Sequence, residues 1–133
     1  MTTSVITDPG RVEQKIHALV AVNRDMFRID MQDISSMLRF GANATVVEVH
    51  GAPDVDCLLD ILDSTTLSYR EEEDGCCIFT AIEAPFGAFS FSDMDAVSHA
   101  ISATGVHMAK MSVSLLSQSD STSISMFTFI FHR

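Results

Sequence analysis

Asp30 and Asp33 lie three residues apart, where a polar connector runs into the helically spaced apolar residues Met31, Ile34, Met37 and Leu38. Such a junction exposes unsatisfied backbone N–H groups and the positive end of a helix dipole, and both favour carboxylates. Capping accounts for one of the two. The pair together could also orient a water or hold a cation if the loop faces a partner, and both readings stay open at the level of the residues.

The other reactive residue types form no complete constellation. His17, His50, His99, His107 and His132 include no pair at metal-ligand spacing. His50 follows an expected strand, where ligands often meet α/β sheets, although capping or exposure is the simpler role. Cys57, Cys76 and Cys77 are an odd number without metal spacing. Adjacent Cys76 and Cys77 point to opposite faces of a strand and read as small buried thiols. Neither Cys57 nor Cys76 has an adjacent basic group to lower its pKa, which disfavours a Cys–His nucleophile. Glycine-rich phosphate loops and nucleophile-elbow motifs are absent from the sequence. The expectation is therefore no catalytic residue, no metal and no cofactor. The acidic run Glu71-Glu72-Glu73-Asp74 reads as a solvated loop, and the eight methionines read as core filling.

The elements that must position these residues follow from periodicity and punctuation. Asp8-Pro9 opens a helix carrying Val12, Ile16, Leu19 and Val20, and Asp30 to Gly41 gives a second, shorter one. Ala44 to Val49 reads as a strand, and Val55, Leu58, Leu59 and Leu62 line a third helix. Cys76 to Ile82 is a nearly unbroken apolar run, as for a strand covered on both faces. Ser92 with Asp95 fits a capping box opening a fourth helix, with Gly105 as its stop. His107 to Leu116 alternates as a half-buried strand, and a hairpin loop at 118–123 leads into Ile124 to Phe131, apolar on both faces and so internal to the sheet. The order α-α-β-α-β-α-β-β predicts one α/β (α+β) domain over residues 1–133, with residues 1–8 as a tail. It has a mixed sheet of about four strands, parallel crossovers and a closing antiparallel hairpin.

Composition bounds the partners. A chain of 133 residues with 47% apolar residues can fill a single core. Its formal charge of −10, from 18 acidic against 8 basic residues, disfavours nucleic acid and anionic membrane surfaces. Without a secretory pattern at Met1 to Val12, a cytoplasmic location is expected.

The segment Phe27 to Ile34, with Lys15 to Leu19 in the helix ahead of it, resembles the C-terminal subdomain of the bacterial tubulin FtsZ. That family has a loop of pattern N-x-D-x-x-D between two helices; its aspartates fall on Asp30 and Asp33, its asparagine on Arg28 and its loop glycine on Asp25. Ile78 to Ile82 with Pro85 and the 92–103 helix resemble the family's strand–loop–helix step, and Met108 to Phe131 resembles its closing hairpin. The resemblance covers about residues 12 to 131 and implies a tubulin C-terminal-like fold without the GTP-binding domain or the C-terminal tail. In the family the two aspartates reach into the next subunit and help place the water that attacks its GTP. For Asp30 and Asp33 this implies a nucleotide supplied by a partner, with Arg28 a departure from the pattern.

Three functions are compatible with these residues. The first is a non-catalytic binding or assembly domain, self-associating as a homo-oligomer or docking on a protein partner through Asp30 and Asp33. An acidic dimeric secretion-type chaperone is the second. The third is a small oligomeric enzyme with an inter-subunit site drawn from Glu48, His50, Glu83 and Arg70.

Overall fold

The structure, a computed structural model, describes residues 1–21, 43–66, 76–85, 87–103, 108–116 and 123–132. They form β1 (Thr2–Ile6), α1 (Pro9–Ala21), β2 (Asn43–Ala52), α2 (Val55–Thr66), β3 (Cys77–Pro85), α3 (Phe91–Ser102), β4 (Met108–Leu116) and β5 (Ile124–His132). The five strands make one mixed sheet in the order β1-β2-β5-β3-β4. Only β3 and β4 pair in parallel; the remaining neighbours are antiparallel. The α+β class and the mixed sheet with helices packed on it agree with the sequence reading.

Alternation along the strands builds two cores. Even-numbered residues of β3 and β5, such as Ile78, Ile82, Met126 and Ile130, pack with Leu58 and Leu62 of α2 and Val97 and Ile101 of α3. Odd-numbered Cys77, Phe79, Phe129 and Phe131 face the other way and join Ile6, Val12 and Ile16, under α1. Fully burying each of these large side chains contributes about 1.5–3 kcal/mol, so β3 and β5, apolar on both faces, take the middle of the sheet.

Two expectations about strands are corrected. The closing hairpin does not pair: β3 lies between β4 and β5. In sequence β4 alternates polar and apolar residues, and it lies at an edge, whereas the more continuously apolar β3 and β5 lie inside the sheet. Residues 2–6, expected as tail, are the fifth strand, rich in β-branched residues and anchored by Ile6, which is 4% exposed.

Helix starts follow their caps. Val12 N–H donates to the Asp8 carbonyl at 3.0 Å, as Asp8-Pro9 suggests. At α3 the capping box is Ser90 with Asp93, not Ser92 with Asp95. The Ser90 N–H donates to Asp93 Oδ2 at 2.8 Å and the Asp93 N–H to Ser90 Oγ at 3.2 Å. Both serines fit the pattern, and the earlier one adds half a turn. That helix ends on Ala103 as its C-cap, ahead of Gly105. Gly51 (φ 76°) takes the left-handed turn beside the β2 bulge between Val49 and Ala52, a conformation that costs other residues more. The expected second helix, the acidic run, Arg70, Gly105 and the loop at 118–122 lie outside the described residues.

Candidate functional site

Glu48 of β2 is a buried carboxylate, 6% exposed, in a strand otherwise lined by valines. Its even position turns it toward α1. There Lys15 Nζ lies 2.8 Å from its Oε1, and Ser4 Oγ of β1 donates to its Oε2 at 3.4 Å. The Lys15 contact is a charge pairing, since Oε1 accepts no well-directed hydrogen bond among the described residues. Burying a carboxylate is costly unless it is paired, so this cluster ties α1, β1 and β2 together. With Lys15 at one oxygen and Ser4 at the other, Glu48 works as a structural anchor.

Two residues further along β2, His50 is exposed. Its ring meets Phe127 edge-on at 5.4 Å, and its Nδ1 lies 3.5 Å from Ser125 Oγ. Glu83, half-buried on β3, stands opposite Ser125 in the β3–β5 register. The fold thus brings Glu48, His50 and Glu83 to one sheet face. However, the described contacts give the His50–Ser125 pair no third group to orient the imidazole, as nucleophile activation requires. Arg70, the fourth residue of that set, is outside the described residues.

At the opposite layer, Pro53, Asp54, Val55, Asp56, Ala88 and Asp93 line an open pocket of about 430 Å³ between the starts of α2 and α3. Helix N-termini attract anions, but here the chain's own carboxylates serve them: Asp54 Oδ1 accepts from the Cys57 N–H at 3.1 Å, and Asp93 closes the α3 cap. A hydrogen bond to Asp54 holds the Cys57 thiol above its ordinary pKa, reinforced by desolvation and by the charges of Asp54 and Asp60. Such a thiol is a poor nucleophile. Cys76 and Cys77 are buried in opposite cores, as their adjacency predicts. Among the described residues, no group of three or more His, Cys, Asp or Glu side chains could hold a metal ion. No described helix is long and apolar enough to cross a membrane.

Asp30, Asp33 and Arg28 lie outside the described residues. The Ser4–Lys15–Glu48 cluster escaped sequence reasoning as a unit, because its members come from three elements 44 residues apart at the extremes. The usable signal was a lone glutamate inside the run Val46, Val47, Glu48, Val49.

No protein-family model matches the chain, and no curated protein matches it. Among solved structures it resembles CetZ2 from Haloferax volcanii, determined as a protofilament bound to GTPγS. The likeness covers 92% of this chain at 10% identity with a TM-score of 0.51. This chain spans 38% of the length of that protein. Two structures of E. coli HypE, a hydrogenase maturation protein, match 91% and 90% of this chain and 43% and 42% of theirs at 10% identity. Their TM-scores are 0.35 and 0.30, too low to carry an argument. CetZ2 is tubulin-like and of the FtsZ family, so the likeness gives this chain a tubulin-like fold.

Proposed function

We propose that the chain is a non-catalytic protein-binding or assembly domain that resembles the FtsZ C-terminal subdomain. It self-associates or docks on a filament-forming or nucleotide-binding protein partner in the cytoplasm, through the face around Asp30 and Asp33 with Arg28 beside them. The observation that carries this reading is the tubulin-like fold shared with CetZ2, a protein solved as a protofilament, over 92% of the chain. The charge of −10 supports a protein partner over nucleic acid or an anionic membrane. The engagement of Glu48 by Lys15 and Ser4 supports a structural role for that carboxylate, in keeping with a domain that acts by contact.

The test is Asp30→Ala combined with Asp33→Ala, followed by analytical ultracentrifugation and circular dichroism. The expected result is an unchanged spectrum with association weakened about tenfold, the loss of roughly 1.4 kcal/mol of binding energy. An unchanged assembly state would count against this docking face. Turnover of GTP by the chain alone would count against the non-catalytic reading.

A further inference from the structure

The outer edge of β1 is the feature that the assembly reading leaves unused. β1 ends the sheet, and Thr2 to Val5 are exposed along it. Edge strands normally carry lysine, proline or a bulge that blocks further pairing. Thr2-Thr3-Ser4-Val5-Ile6 has none of these: it is uncharged, rich in β-branched residues and in unbroken register with β2 from Thr2↔His50 to Ile6↔Val46. Val5 is 61% exposed, a large apolar side chain at an open edge.

Charge permits a second copy at this edge. The charge of −10 is concentrated between residues 44 and 95, where two copies repel one another. Residues 1–21 carry no net charge. Asp8 and Glu13 are balanced by Arg11 and Lys15, and no charged side chain falls between Met1 and Thr7. By contrast, Asp54, Asp56, Asp60, Asp63, Asp93 and Asp95 load the layer of α2 and α3 with no lysine or arginine in either helix. A strand that is neutral and uniform along its length is also compatible with itself in antiparallel pairing, the isologous contact of a twofold dimer.

We propose that β1 pairs antiparallel with β1 of a second copy of this chain, centred on Ser4, joining two five-stranded sheets into one of ten. In that register Thr3 of each copy stands opposite Val5 of the other, covering the exposed valine. The inference rests on the assembly reading and adds to it a second contact surface, with a second copy of this chain as the partner there. A contact of five residues per side is smaller than a standard interface, so the dimer is weak and concentration-dependent.

Sedimentation of the full chain from about 10 µM to about 1 mM tests this, a range matched to such weak contacts. The expected result is a monomer–dimer equilibrium that Val5→Lys shifts at least tenfold toward monomer with no change in circular dichroism. Combining Thr3→Glu with Val5→Lys sets opposite charges facing one another in the stated register and restores the dimer. A monomer throughout, a dimer indifferent to Val5→Lys, or a double variant that stays monomeric overturns the inference. So does a strand of a different protein found on β1 while the chain itself stays monomeric. A dimer lost on Asp30→Ala/Asp33→Ala but kept on Val5→Lys overturns this inference alone and leaves the proposed docking face standing; the reverse pattern supports β1 and counts against that face.

Discussion

The two layers that cover the sheet solve the same burial problem with different materials. Beneath α2 and α3 the interior is almost wholly apolar, and its buried polar side chains include Thr80 and Thr128, whose hydroxyls meet at 3.4 Å across β3 and β5. Beneath α1 the core is smaller and aromatic, with Phe79 against Phe129 at 5.9 Å, and it is bordered by the buried charge of Glu48 under Lys15. The outer surfaces are reversed: the helices over the drier core carry only acidic charge, whereas α1 mixes signs. Like charges on an outer surface discourage contact with a second copy, and a balanced surface permits it. The contrast therefore separates a layer whose outer surface repels a second copy from one whose outer surface does not.

The largest way to break this contrast is Leu58→Ala. Leu58 is fully buried under α2, and its loss should cost about 2–5 kcal/mol in denaturant unfolding. Truncation in the α2 and α3 layer should leave any β1-mediated association of the folded fraction unchanged. A loss of association without a loss of stability would show that the layers are not separable in this way.

Next in size is Lys15→Met, which strips the buried Glu48 of its cation while keeping the aliphatic stem. With Lys15 itself partly exposed, a cost of about 1–3 kcal/mol is expected, less than for a fully buried pair. Adding Glu48→Leu should recover most of it, because the unpaired buried charge and not the missing contact is the penalty. No recovery in the double variant would mean that Glu48 does more than anchor α1.

Smaller still is Thr80→Val on the other side of the sheet, which leaves the Thr128 hydroxyl without its partner across the strands and should cost about 1 kcal/mol. Thr80→Val with Thr128→Val should return close to the starting stability, measured by the same unfolding curves. Together with the Lys15 and Glu48 series, it compares a hydroxyl pair with an ion pair in one sheet.

Much of the local structure was legible because it depends on near neighbours in sequence. Asp8-Pro9 opens α1, and Leu58 and Leu62 recur at helical spacing. The double-faced, mostly apolar character of Cys76 to Ile82 and Ile124 to Phe131 correctly marks internal strands. The candidate site was less legible. Ser90 and Ser92 both satisfy the same capping pattern, and only the backbone path selects Ser90. Thr2 to Ile6 looks like a tail because five residues with a single buried member carry a weak periodic signal, and pairing with β2 is what makes them a strand.

The sequence by itself determined the α+β class, the absence of charged side chains before Asp8 and the buried character of β3 and β5, since periodicity and composition are properties of short windows. Tertiary structure decided that β5 inserts between β2 and β3 instead of folding back on β4, that β1 closes one edge, and that Glu48 finds Lys15 and Ser4. Those outcomes depend on which faces remain to be covered once all the elements compete for the same sheet. That competition is non-local, so no stretch of the chain encodes its result alone.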